Sequence, residues 1–224
     1  MQTEHTVQER ALRIVKILQR ATEGMVLPAA TMIVNEYGRD PYLILVSCIL
    51  SLRTKDSVSW PASRRLFFSA KTPAQMLELP AQTIQSLIYP CGFYRQKTAQ
   101  ILELSADLIA RFGGTVPNTE KELLSLKGVG RKTANLVLGV AFEIPSMCVD
   151  VHVHRISNRL GLVQTKTVEE TEEALKKVLP QNLWIEYNRL IVTWGQNVCV
   201  PQSPFCSTCA IAKECPRIGV TKSR

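Results

Sequence analysis

The sequence predicts an all-α protein. Three observations point there. Apolar residues recur at helical spacing through most of the 224 residues. The runs are bounded by prolines, glycines or capping residues. No segment shows a persuasive strand alternation or a repeat of solenoid length.

Residues 8–22 place Ala11, Ile14, Val15, Ile17 and Leu18 on a helical stripe. Pro28 precedes a helix over 29–36, and Tyr37-Gly38-Arg39-Asp40-Pro41 is a turn. Residues 42–52 are apolar almost all round, which marks a helix in the core rather than on a surface. The polar bend Ser51-Leu52-Arg53-Thr54-Lys55-Asp56 follows. Helix 58–68 is expected to start late because of Pro61. Thr72-Pro73 starts a short helix that Pro80 ends, and 81–88 forms another. Pro90 to Lys97 reads as a loop carrying Gly92, Phe93, Tyr94 and Arg95. A long helix then covers 98–112, stopped by Gly113-Gly114.

The centre of the chain is Leu126-Lys127-Gly128-Val129-Gly130-Arg131-Lys132. Thr119 and Glu122 have the spacing of a capping box, so 119–126 is a short helix. Residues 131–142 form a second helix, with Ala134, Val137, Leu138 and Ala141 on one face. Between them Gly128 and Gly130 permit a tight hairpin and close approach of a ligand to the backbone. Amides at the start of the second helix, the helix dipole, Lys127, Arg131 and Lys132 would together suit a phosphate. An ordinary helix–helix turn would look the same by itself.

Downstream, Val149-Asp150-Val151-His152 opens a helix running to Arg159, with Gly161 beyond it. Asp150 stands where an N-cap is preferred. Thr167 and Glu170 form another capping box for a helix to Val178, Pro180 breaks it, and residues 182–199 make the last long helix. That helix leads to Cys199, Cys206, Cys209 and Cys215, a C-x6-C-x2-C-x5-C pattern. Four thiolates so spaced could hold zinc or an iron–sulfur cluster.

Composition agrees with a nucleic-acid partner. The formal charge is +8 and the pI about 9.2, which favours a polyanion. A hydrophobic content of 46% supplies a sizeable core. Charged residues interrupt the first thirty positions, unlike a signal peptide. The apolar run 41–52 is too short, and too interrupted by Ser47 and Ser51, to span a bilayer. A cytoplasmic, nucleoid-associated protein with no membrane contact is expected. Seven cysteines, four at metal-ligand spacing, indicate a metal centre rather than a disulfide framework.

The Gly-x-Gly-x-Lys element, the aspartate eighteen residues beyond Lys132 and the four cysteines recur in one order. Together they resemble the endonuclease III-like branch of the helix-hairpin-helix (HhH-GPD) DNA glycosylases, from about residue 41 to 215. The resemblance implies a bifunctional glycosylase and abasic-site lyase acting on oxidised pyrimidines in duplex DNA, as a monomer. By it Lys132 is the nucleophile and Asp150 its partner carboxylate. The four cysteines bind a [4Fe-4S] cluster, Phe93 is a wedge opposite the lesion, and His152 lies at the DNA surface. From the residues alone, Phe93 also reads as a core aromatic and His152 as a solvated histidine. Two positions depart from the family pattern. Arg53 stands where a glutamine enters the duplex, and could insert or contact phosphate; Lys127 replaces a proline. Within the fold, an adenine-mismatch or a thymine/uracil-mismatch glycosylase is the alternative. Outside it stands a non-catalytic iron–sulfur DNA-binding protein.

Two lobes are expected. Residues 29–144 carry the helix-hairpin-helix (119–142). Residues 1–28 and 145–224 form a discontinuous domain with the cysteine loop (199–215). A DNA groove between them, faced by Lys132 and Asp150, completes the expectation.

Overall fold

A computed structural model describes residues 4–224. Every regular element among them is helical. The chain forms two compact units, one of residues 28–144 and one of residues 1–27 with 145–224.

The unit of residues 28–144 contains α2 (Ala29–Tyr37), α3 (Pro41–Ser51), α4 (Asp56–Ser69), α5 (Pro73–Glu78), α6 (Ala81–Ile88), α7 (Tyr94–Phe112), α8 (Glu120–Leu124) and α9 (Arg131–Phe142), counting the N-terminal helix α1 (Glu4–Ala21) as first. Its centre is α3. Asp40 caps it by accepting the Leu43 N–H at 2.9 Å, Pro41 sets the first turn, and every residue from Tyr42 to Leu50 is buried. Helices α2, α4, α7 and α9 pack on it. Thr72 caps α5 through the Gln75 N–H at 3.2 Å.

Two helices start earlier than expected. Helix α4 starts at Asp56, so Pro61 lies inside it. The missing N–H would have reached the Ser57 carbonyl. Both residues face solvent, where water can serve that carbonyl. Helix α7 starts at Tyr94, not at residue 98. Its first turn is closed by the Lys97 N–H donating to the Phe93 carbonyl at 3.0 Å. Residues 94–97, expected to belong to the glycine-containing loop, form its first turn, and Lys97 is buried there.

The other unit holds α1, α10 (Val151–Arg159), α11 (Val168–Val178) and α12 (Trp184–Asn197). α1 buries Ala11, Ile14, Val15 and Leu18 of the expected stripe, and Ile17 is partly buried. α12 supplies Tyr187, Leu190, Ile191 and Trp194 to the core and packs on α1 and α10. Thr167 caps α11 at 3.1 Å from the Glu170 N–H. The Glu170 carboxylate reaches back to the Lys166 N–H, 2.7 Å, one residue before the cap. Arg10 of α1 donates to the carbonyls of Gly161 (2.7 Å) and Glu214 (3.2 Å), tying down the segments after α10 and within the cysteine loop. No helix among the described residues is long and apolar enough to cross a membrane.

In this unit the Tyr187 hydroxyl and Ser157 Oγ pair at 2.8 Å, both fully buried. Tyr187→Phe should therefore cost about 1–3 kcal/mol in urea unfolding, because it strands the Ser157 hydroxyl. Adding Ser157→Ala should recover part of that loss, and a double variant no more stable than Tyr187→Phe would refute this account.

Candidate active site

The hairpin between α8 and α9 is built by local chemistry. Thr119 accepts the Glu122 N–H at 3.3 Å and donates to the Glu122 carboxylate, closing the first turn of α8. Leu126 and Val129 are buried on either side of exposed Lys127 and Gly128. The Val129 N–H donates to the Leu126 carbonyl at 3.1 Å, so residues 126–129 form a β-turn. Gly128 holds its third position with φ of 79°, which glycine takes without strain. Its carbonyl accepts from Gln100 Nε2 at 3.1 Å, and a Cβ here would run into the Gln100 amide. Gly130 differs. It is the N-cap of α9 in extended conformation (φ −93°), has no side chain to cap the helix, and nothing lies within 4 Å of where its Cβ would be. The glycine at 130 leaves open the approach to the helix N-terminus and its dipole.

Arg131 and Lys132 are the first two residues of α9, and both are exposed. The next three, Thr133, Ala134 and Asn135, are buried and anchor this turn. The positive charge of Lys132 is felt at Cys48 of α3, where it opposes the burial that pushes the thiol up to about 12. Lys127 pairs with Glu103 of α7 at 2.7 Å. In this position proline would fix the turn covalently; lysine holds the turn to α7 by a solvent-screened ion pair instead.

Asp150 is the N-cap of α10, and its Oδ1 accepts the N–H groups of both His152 and Val153 at 2.9 Å. The cap reading of the sequence is correct, and capping holds the carboxylate in one orientation. His152 is not a loose surface histidine. Its imidazole is half-buried against Gly195 of α12, where any Cβ would collide with it, and its Nδ1 lies 3.1 Å from Arg155 Nη2. Arg155 also donates to the Cys199 carbonyl at 2.9 Å, and its own burial lowers the guanidinium pKa.

Arg53 and Phe93 meet in space. The Arg53 guanidinium lies 5.7 Å from the centroid of the Phe93 ring. Both residues have left-handed backbone, with φ of 52° and 59°. Phe93 is 54% exposed, so it is not a core aromatic.

The four C-terminal cysteines line one cavity, walled by Ile156, Leu160, Trp194 and Val198. No three His, Cys, Asp or Glu side chains among the described residues converge to hold a single metal ion. Arg159 Nη1 approaches Cys199 Sγ at 3.4 Å, and the Arg217 N–H approaches Cys215 Sγ at 3.4 Å. Arg159 also donates to the carbonyls of Val200 (2.9 Å) and Pro201 (2.7 Å). Burial raises the thiol pKa of Cys209 and Cys215, and the charge of Cys199 adds to it. The Trp194 indole N–H is buried with no hydrogen-bond partner among the described residues; it lies near Cys209, where it only partly offsets the rise that burial gives the thiol. Four thiols around one apolar cavity, with N–H donors directed at sulfur, fit a polynuclear iron–sulfur group.

The family is decided by comparison with known proteins. The family model described as HhH-GPD superfamily base excision DNA repair protein matches residues 46–181. The chain belongs to the HhH-GPD superfamily. It is 48% identical over 181 residues to endonuclease III of Thermotoga maritima, covering 81% of this chain and 85% of that one. It is 40% identical to the chloroplastic endonuclease III homolog 2 of Arabidopsis thaliana, covering 78% of this chain but only 48% of that longer protein. Among solved structures, a non-covalent endonuclease III–DNA complex superposes with a TM-score of 0.83 at 30% identity, covering 97% of each chain.

The HhH-GPD match includes the hairpin, Lys132, Asp150, Arg53 and Phe93, and ends before the cysteine loop. Sequence reading missed Lys97, Thr54, Gln100, Arg155 and Arg159. Only Lys97 left a signal: it falls on the buried stripe of Ile101, Leu104 and Leu108.

The two hairpin glycines should separate in stability measurements. Gly128→Ala should lose at least about 1 kcal/mol, from positive φ and the clash with Gln100. Gly130→Ala should stay within about 0.5 kcal/mol of the parent. Equal losses in chemical denaturation would contradict this geometry.

Proposed function

We propose that this chain is a bifunctional DNA glycosylase and abasic-site lyase that removes oxidised pyrimidines from duplex DNA in base-excision repair. The observation that carries it is a lysine at the second residue of α9, two positions after the last glycine of the Gly-x-Gly turn, in a chain 48% identical to an endonuclease III. The enzyme acts as a monomer on duplex DNA containing damaged bases or abasic sites, at the nucleoid.

The damaged nucleotide leaves the base stack. The α9 N-terminus with Gly128 and Gly130 binds a backbone phosphate, assisted by Arg131 and by Lys127. The lone pair of Lys132 Nζ forms a bond to sugar C1′, and the bond from C1′ to the base breaks with its electron pair going to the base, which takes up a proton. Asp150 acts on the same nucleotide, stabilising the positive charge that develops on the sugar and moving protons. Ring opening gives the imine. Loss of a C2′ proton then expels the 3′ phosphate, and water releases the lysine. Arg53, Phe93 and His152 contact the DNA around the lesion.

We assign a [4Fe-4S] cluster to Cys199, Cys206, Cys209 and Cys215. When bound, it would cross-link the loop and fix its basic residues, Lys213 and Arg217, for phosphate. Its role in this reading is structural.

Borohydride trapping tests the mechanism. Wild-type protein should form a covalent adduct with abasic or thymine-glycol duplex. Lys132→Gln should lower adduct and strand cleavage at least about a hundredfold while retaining binding. Asp150→Asn should keep the fold, because asparagine also caps helices, and slow base removal by about two orders of magnitude or more. Trapping by Lys132→Gln at the wild-type rate would move the nucleophile elsewhere.

The metal assignment has its own test. Anaerobically purified protein should be brown and contain iron and acid-labile sulfide. A colourless protein carrying stoichiometric zinc would overturn it.

A further inference from the structure

Lys97 is 4% exposed, one turn into α7. Its ammonium donates to the Leu50 carbonyl at 2.7 Å and to Thr54 Oγ1 at 2.8 Å. The Thr54 hydroxyl also accepts the Gly92 N–H at 3.1 Å and donates to the Leu52 carbonyl at 3.3 Å. One buried cation thus joins the end of α3, the bend after it and the loop before α7. The segments approach so closely that a Cβ on Gly92 would lie 3.1 Å from the Arg53 carbonyl oxygen.

Arg53 and Phe93 project from the two segments so joined. Each is exposed, each holds a left-handed backbone that a side chain disfavours, and the Arg53 guanidinium lies over the Phe93 ring, 5.7 Å from its centroid. Strained residues of this kind persist only where the surroundings over-determine them. Here the surroundings are the Lys97–Thr54–Gly92 network. Burial lowers the Lys97 pKa, so the ammonium sits at a cost to its hydration, offset by two short hydrogen bonds. An apolar residue would fit the stripe of α7 and pack well, but it would leave the Leu50 carbonyl and the bend unheld.

We propose that Lys97 is the positioning residue that sets Arg53 and Phe93 as a single wedge, which stacks on the base left without a partner when the damaged nucleotide is flipped out. The proposal rests on the glycosylase reading above. An aromatic face and a guanidinium plane together offer stacking to any base and hydrogen-bond donors to its edge. Held separately, the two side chains would have to be ordered at the moment of binding.

The test uses full-length protein and a duplex with 2-aminopurine opposite a stable abasic analogue. Fluorescence is read at saturating protein, so that affinity does not set the amplitude. Wild type should change the 2-aminopurine signal on binding. Lys97→Met and Thr54→Val should lose most of that change, and Thr54→Ser, which keeps the hydroxyl, should restore it. Borohydride trapping of the same variants on single-stranded abasic DNA, which needs no wedge, should stay within about twofold of wild type. Thr54→Val keeps the experiment decisive if Lys97→Met fails to fold. Full fluorescence change in Thr54→Val overturns the proposal. So does a parallel loss of single-strand and duplex trapping in Thr54→Val, which would mark general damage. A wild type that traps DNA yet leaves 2-aminopurine unchanged overturns the wedge alone; a wild type that traps neither substrate defeats the glycosylase reading itself.

Discussion

A helix buried on every face has no solvent to receive the unpaired carbonyls of its last turn. Helix α3 is in that position: nine successive residues, Tyr42 to Leu50, are buried. Its start is satisfied by Asp40, but near its end the Leu50 carbonyl takes its hydrogen bond from the ammonium of Lys97. The organisation of residues 28–144 follows from this. The surrounding helices turn apolar stripes inward, Tyr42 finds the Ser105 hydroxyl at 2.7 Å, and the polar bend after α3 is pinned to the start of α7. The exposed Arg53–Phe93 pair is the outward side of the same arrangement.

The other unit depends on α10 in a comparable way. Asp150 fixes its N-terminus, and Arg155 and Arg159 fix the cysteine loop to its later turns through the carbonyls of Cys199, Val200 and Pro201. The nine-residue helix spans roughly 13 Å at about 1.5 Å per residue. A short, rigid rod therefore joins the proposed catalytic carboxylate to the first proposed cluster ligand. Gly195 allows the side chain of His152 to pack closely against α12 beside this rod.

Much of this was legible in the sequence because it is written locally. Thr72, Thr119, Asp150 and Thr167 each stand at a helix start and each cap it through a nearby amide. Gly128 marks a backbone that turns left-handed, and the cysteine spacing brings four thiols to one cavity. What was not legible is written between distant segments. Lys97 bonds to residues more than forty positions away, as does Arg159, and a lysine's code letter does not say whether its ammonium meets water or a carbonyl. Gly130 looked like a second conformational glycine, yet its backbone is extended and its contribution is open space. Pro61 failed as a helix boundary because it and Ser57, whose carbonyl loses its usual donor, are both exposed, so water can take the place of the missing N–H.

The distribution of thiols has a consequence for chemical durability. Cys48, Cys91 and Cys148 are buried, and burial holds the Cys48 thiol up to about 12, far from the ionised form that oxidants and alkylating agents attack. The four cysteines of the loop are all partly open. Reagents in solution therefore reach the loop thiols more readily than the three buried ones, and a sulfinic acid at any of the four would remove a proposed cluster ligand.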